Sequence, residues 1–96
     1  MRHTVTRLLP EAFERLAAIK AKYPDMKHTA LVGELLKEPV NLSPFDNVKG
    51  VAEGSKAIRI TVEQLDELRT QTKGTGCSMI QVLSDKVCKL ADKLEV

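Results

Sequence analysis

The same order of structural signals occurs twice in this chain of 96 residues. A short stretch rich in alternating or β-branched residues precedes a helix start at Pro10, and another precedes a helix start at Thr61. In each half a second helical pattern follows after a break. Because a single strand leaves its backbone N–H and C=O groups unpaired, two such strands in one chain are expected to form an antiparallel ribbon. The repeat therefore predicts one structure built jointly by both halves.

The two halves align at an offset of 51 residues, which superimposes most of their apolar positions. Leu9 falls on Ile60 under this offset, whereas Leu35 falls on Lys86, where the match fails. Two prolines and two glycines with few apolar residues between the halves indicate a connector. We predict one domain over residues 1–96, with repeat one at 3–38, a linker at 39–55 and repeat two at 56–95.

The composition favours an aliphatic, helical core. Hydrophobic residues make up 43% of the chain but aromatic residues only 3%, so Leu, Val, Ile, Ala and Met must fill the interior. The chain is too short for two independent cores. Its net charge of +2 does not by itself indicate a nucleic-acid partner, and no apolar run approaches the roughly 18 residues of a membrane span.

The cysteines and histidines do not form a recognisable metal or redox motif. Cys77 and Cys88 are eleven positions apart, unlike a CxxC pair or a usual zinc site, and His3 and His28 add no ligand spacing on one element. We expect no signal peptide before them. We expect two reduced thiols in a cytoplasmic protein without a metal or other cofactor. No grouping of Ser, His and acidic residues suggests an enzyme.

Helix starts are well marked in the second half. Thr61 is followed three residues later by Gln64, the spacing of a capping box, and Ser78 precedes a long apolar stripe that ends near the carboxyl terminus. In the first half Pro10 suits the first helical position, while Pro24 and Pro39 close the two helical patterns. These signals predict four helices.

The segments IRITVEQLDEL and GCSMIQVLSDKV, and more loosely LLPEAFERL and DMKHTALVGELL, resemble the ribbon-helix-helix (Arc/MetJ-type) DNA-binding family. The resemblance implies a mostly α fold with a two-stranded antiparallel β-ribbon, in the tandem order β-α-α-linker-β-α-α around one core. Family members usually use two chains, so this chain is similar to the rarer single-chain pseudo-dimers found among conjugative-plasmid accessory proteins.

In that family the ribbon enters the major groove and its outer side chains read bases. In the second strand Ile58 and Ile60 would face the core and Arg59 would face DNA. In the first strand, alternation back from Leu9 buries Arg7 and exposes Leu8, whereas a slip of one residue does the reverse. A bulge could reconcile the two arrangements, and we favour the one that exposes Arg7. The candidate base-reading residues are Thr4, Thr6, Arg7, Ala57 and Arg59.

Phosphate contacts are expected from basic residues near the ribbon and from the amino-terminal ends of the second helices. For Ser78 an ordinary helix cap is an equally good interpretation, and for His28 an exposed polar residue. The candidate phosphate-binding residues are Arg2, Lys27, His28, Thr29, Lys56, Lys73, Ser78 and Met79.

These features lead us to expect a protein that binds double-stranded DNA sequence-specifically. It would act as a transcriptional repressor or as an accessory protein at a plasmid transfer origin. Further expected partners are other copies of the chain along DNA and a relaxase or toxin protein, with no membrane partner. The alternative is a protein-interaction module, antitoxin-like or scaffolding, that uses the same fold without reading DNA.

Overall fold

The computed structural model describes residues 2–39 and 54–95. Within these ranges the chain forms two strands and four helices in the order β1, α1, α2, β2, α3, α4. Their bounds are β1 His3–Leu8, α1 Pro10–Lys22, α2 His28–Lys37, β2 Lys56–Thr61, α3 Val62–Thr72 and α4 Met79–Lys93. The prediction of a mostly helical chain with a two-stranded antiparallel sheet is confirmed. Residues 40–53 of the predicted linker lie outside the described residues.

The two strands pair continuously, from His3 opposite Thr61 to Leu8 opposite Lys56. Leu8 is completely buried and Arg7 is exposed, so the arrangement that exposes Arg7 is the one adopted, without a bulge in the register. Leu9, expected as the counterpart of buried Ile60, is only half-buried. The helices therefore cover the ribbon face that carries Leu8.

The predicted capping box is present where β2 meets α3. The Gln64 N–H donates to Thr61 Oγ1 at 3.0 Å, and the Thr61 N–H donates to Gln64 Oε1 at 3.0 Å. Thr61 is at once the last residue of β2 and the residue that caps α3, so no loop separates the two elements. Ser78 caps α4 by accepting from the Gln81 N–H at 3.3 Å. Both caps satisfy N–H groups that a helix start leaves unpaired.

Helix α4 lies at the centre of the fold and packs against α1, α2, α3 and β1. As the composition predicts, the core is aliphatic, and Phe13 and Tyr23 are only partly buried at its margin. The buried apolar residues of α4 are Val82, Leu83, Val87, Leu90 and Ala91. No helix in the described ranges combines the length and the apolar composition that crossing a membrane requires.

Lys86 occupies a fully buried position of α4, where Leu35 stands in the first half. Its Nζ donates to the backbone oxygen of Glu38 at 2.5 Å, at the carboxyl end of α2. The partial negative charge at that helix end and the carbonyl acceptor both favour the ammonium group. Burial nevertheless lowers the pKa of Lys86, because a charged amine is poorly solvated there.

Lys86→Met tests this buried amine through the pH dependence of stability. The folded protein releases the Lys86 proton at a lower pH than the unfolded chain does. In the alkaline range the unfolded state therefore binds more protons, and the free energy of unfolding rises with pH. We expect the free energy of unfolding of the wild type, minus that of Lys86→Met, to increase as pH rises from neutral toward the ordinary lysine pKa. Met fills a similar volume but removes the hydrogen bond to the Glu38 carbonyl, so the change of this difference with pH, and not its size at neutral pH, reports the pKa of Lys86.

Urea denaturation at a series of pH values measures this difference. Lys93→Met is the matched control. The Lys93 Nζ also contacts Glu38, at 3.3 Å from the carboxylate Oε1, but the Lys93 side chain is exposed. Its difference from the wild type should be nearly flat with pH. A flat difference for Lys86→Met as well would contradict the lowered pKa of Lys86.

Candidate nucleic-acid interface

One face of the ribbon is directed away from the helices. Residues opposite each other in an antiparallel pair point to the same face, so Val5 with Arg59, and Arg7 with Ala57, share this outward side. His3 follows the same alternation at the end of β1. All five of these side chains are exposed. The outward ribbon face is therefore defined as His3, Val5, Arg7, Ala57 and Arg59.

The ribbon carries positive charge and no negative charge of its own. Neither β1 nor β2 contains Asp or Glu, while Arg7, Lys56 and Arg59 belong to the strands and Arg2 immediately precedes them. All four of these cations are exposed. The modest net charge of the whole chain thus conceals a locally cationic surface, the type of surface that phosphate groups attract.

The two outward arginines are held differently. Arg7 donates from Nε to Ser55 Oγ at 2.7 Å and from Nη2 to the Ser55 backbone oxygen at 3.0 Å. Ser55 is buried and supports Arg7 through both bonds. The Arg59 guanidinium has no hydrogen-bond or ion-pair partner within the described part of the chain. Arg7 is therefore oriented in advance, whereas Arg59 is available to a ligand.

Val5 is the residue that sequence reasoning missed. It is 64% exposed, the one large hydrophobic side chain with this exposure among residues 2–39 and 54–95, and it lies opposite Arg59. Thr4 and Thr6 lie on the other face, half-buried on the side of Leu8, so they do not join Arg59. Alternate residues of a strand point to the same face, so Val5 faces outward once Arg7 does. This alternation is the sequence feature from which the exposure of Val5 could have been predicted.

Helix α2 begins beside β2. The Val62 N–H donates to the Arg2 carbonyl at 3.1 Å, so Arg2 and Val62 form a hydrogen-bonded pair. Hydrogen-bonded and non-hydrogen-bonded pairs alternate along an antiparallel ribbon, which makes Val5–Arg59 a non-hydrogen-bonded pair. The backbone N–H and C=O groups of such a pair point outward from the ribbon edge. His28 Nε2 bonds to the Arg59 carbonyl there at 2.5 Å. His28 is half-buried and thus not the exposed polar residue of the alternative interpretation.

A second contact fixes the start of α2. Gln64 Nε2 donates to the Thr29 carbonyl at 3.0 Å, which joins α2 to α3. Lys27 is the exposed N-cap residue and provides no side-chain cap, so the first-turn N–H groups of α2 receive no bond from it. Of the predicted phosphate-binding residues, His28 contacts Arg59, and Lys27 and Thr29 flank His28 in the sequence.

The remaining predicted phosphate-binding residues have other surroundings. Ser78 is the N-cap residue of α4, and the side chain of Met79 packs against the core. Lys73 is the exposed C-cap residue of α3. For Ser78 the structure thus supports the helix-cap interpretation. A phosphate at this helix start would be bound by backbone N–H groups of α4.

Comparison of the chain with protein-family models, with curated proteins and with solved structures found no match. Within the described ranges, no three His, Cys, Asp or Glu side chains are grouped as metal ligands would be. Cys77 is buried, and burial raises the pKa of the half-buried Cys88 thiol.

The tautomer of His28 provides a direct test of the contact between α2 and β2. A carbonyl oxygen only accepts, so Nε2 must carry the hydrogen. The buried Nδ1 has no hydrogen-bond partner among residues 2–39 and 54–95. We expect long-range ¹H–¹⁵N NMR spectra of neutral His28 to show the Nε2–H tautomer as the dominant form. Exposed His3 is the internal control and should show tautomer averaging. A dominant Nδ1–H form of His28 would contradict the bond to Arg59.

Proposed function

We propose that this chain is a sequence-specific double-stranded DNA-binding protein of the ribbon-helix-helix type. Its two halves act as a single-chain pseudo-dimer, and the outward ribbon face enters the major groove. The observation that carries the proposal is the pair of exposed arginines on adjacent strands of an acid-free ribbon. A two-stranded ribbon fits a major groove about 12 Å wide, and arginine is the side chain best suited to bidentate recognition of guanine.

Burial supports the pseudo-dimer. In the strands and the first helix of each half, equivalent buried residues are 52 positions apart, one more than the offset of 51 predicted from aligning the two halves. In the second helix of each half they are 51 positions apart. The corresponding buried pairs are Leu8 with Ile60, Leu16 with Leu68, Leu31 with Val82, and Val32 with Leu83. Each half thus contributes one strand and two helices to one core, as two separate chains do in the family.

The ribbon has an approximate two-fold centre at the pair Thr6–Ile58. Rotation about it exchanges Arg7 with Arg59, while Val5 exchanges with Ala57. The arginines would read equivalent guanines in two half-sites, whereas the larger Val5 can contact a thymine methyl group that the short Ala57 reaches less well. The preferred DNA site should therefore be a near-palindrome that departs from symmetry where Val5 and Ala57 lie.

The start of α2 is suited to phosphate on the flank of the ribbon. Lys27 is exposed, the first-turn N–H groups are uncapped, and the bond from His28 fixes this helix end beside Arg59. Such contacts set the position of a protein on DNA without reading sequence. The cellular role is a repressor or a transfer-origin accessory protein of the cytoplasm, by the resemblance described above, with further copies of the chain, a relaxase or a toxin as additional partners.

Selection from random duplex DNA followed by fluorescence anisotropy tests the proposal. We expect an enriched near-palindromic site whose affinity falls as salt rises, because phosphate contacts release counterions. Arg59→Ala should weaken binding to that site by about 1–3 kcal/mol, through loss of the guanine contact. Arg7→Ala should have a similar effect at the other half-site.

Lys37→Ala is the control variant, since Lys37 is exposed at the end of α2 away from the ribbon. It should leave specific affinity nearly unchanged. If Arg59→Ala also leaves it unchanged, the ribbon does not read bases. If no DNA binds at low salt, the proposed function is wrong and a protein-interaction module becomes the better explanation.

A further inference from the structure

An open groove of about 440 Å³ lies between α1 and β2, next to the start of α2. Phe13 and Leu16 of α1 and Ile58 of β2 give it an apolar lining. Ala17 and Ala57 also line it, and their methyl side chains are too short to fill the space between the two elements. This volume is in the range of pockets that hold small organic molecules, about 300–1,000 Å³.

The polar side chains of the groove are cationic or nitrogen-bearing. Lys20 and Arg59 line it together with His28, and no carboxylate is among its lining residues. Within the described part of the chain, neither the Lys20 ammonium nor the Arg59 guanidinium has a hydrogen-bond or ion-pair partner. Two unpaired cations next to an apolar lining complement a molecule that has an apolar body and one negative charge.

We infer that this groove binds a small amphipathic carboxylate, with its apolar body against Phe13, Leu16 and Ile58. Its carboxylate would lie between Lys20 and Arg59. Arginine and lysine both gain from such a partner, since charge-assisted hydrogen bonds are stronger than those between neutral groups. The site combines α1 and the first residue of α2, which are close in sequence, with the distant strand β2.

Binding in the groove engages Arg59, which is also the proposed base-reading residue of β2. On the condition that the proposed DNA binding holds, a carboxylate in the groove would draw the Arg59 guanidinium toward Lys20 and place a negative charge beside the ribbon that the DNA phosphates approach. The carboxylate therefore weakens DNA binding, and DNA weakens carboxylate binding by the same factor. The groove thus supplies a route for a small molecule to release the protein from DNA.

The first test uses the intact protein without DNA and sodium octanoate below its micelle concentration as the probe. ¹H–¹⁵N correlation spectra should show saturable shifts at backbone amides of α1 and β2 that surround the groove. Octanol, with the same chain but no charge, should bind at least about tenfold more weakly because it leaves the cations unpaired. Equal binding of the two, or shifts spread evenly over the surface, would overturn the inference.

Two phenylalanine variants provide the matched comparison. Ala17→Phe fills the groove. Ala18→Phe adds the same side chain at the next exposed position of α1, which does not line the groove. Octanoate binding should fall at least about tenfold in Ala17→Phe and be retained in Ala18→Phe. Lys20→Gln should reduce octanoate binding and leave octanol binding unchanged. Retained binding in Ala17→Phe, with its thermal stability equal to that of Ala18→Phe, would overturn the site.

The second test adds octanoate to the complex with the selected DNA at constant ionic strength. Octanoate should raise the apparent Kd for DNA in the wild type and in Ala18→Phe, but not in Ala17→Phe. Octanoate binding without an effect on DNA affinity overturns the competition through Arg59. Absence of DNA binding by the free protein is a failure of the proposed function alone, because the first test decides the groove without DNA.

Discussion

The hydrogen-bonded ladder between β1 and β2 is the interaction on which the other features depend. In the described part of the chain each strand has only the other as a partner, and the two come from opposite halves of the sequence. A two-stranded ribbon is marginal in water unless one face is covered. Burial of Leu8, Ile58 and Ile60 against the helices supplies that cover and fixes the register, since a slip of one residue would exchange the two faces.

The same constraint determines the outward surface. Arg7, Val5 and Arg59 face outward because their neighbours in the strands are needed in the core, so the chemistry of one face follows from the packing of the other. The capping box at Thr61 extends this control into α3, because the strand passes into the helix without a flexible connection. A substitution that disturbs the buried face is therefore expected to affect the exposed face as well.

Local signals in the sequence predicted the elements well. Pro10 begins α1, and Thr61 and Ser78 cap α3 and α4, because capping depends on residues within one turn of each other. The facing of β1 was harder to predict, since Leu8 and Leu9 are both apolar and only packing decides between them. Strict alternation from Leu8 then excludes Thr4 and Thr6 from the outward face and adds Val5.

Long-range features escaped prediction for a different reason. Burial of Lys86 requires an acceptor on another helix, the Glu38 carbonyl, and no pattern along α4 indicates it. The groove likewise combines side chains from three elements, so its shape exists only after they have packed. Its open volume depends on two short side chains in the lining, Ala17 and Ala57, which neither composition nor periodicity indicates as part of a site.

The bond between His28 and the Arg59 carbonyl has a consequence for self-association. Both strands of a two-stranded ribbon are edge strands, and exposed edges invite a strand of another molecule to add by backbone pairing. At Arg59 the outward carbonyl already has a side-chain partner, so an incoming strand would find its acceptor occupied in the middle of β2. Together with the positive charges of the strands, this contact disfavours β-sheet aggregation along the β2 edge.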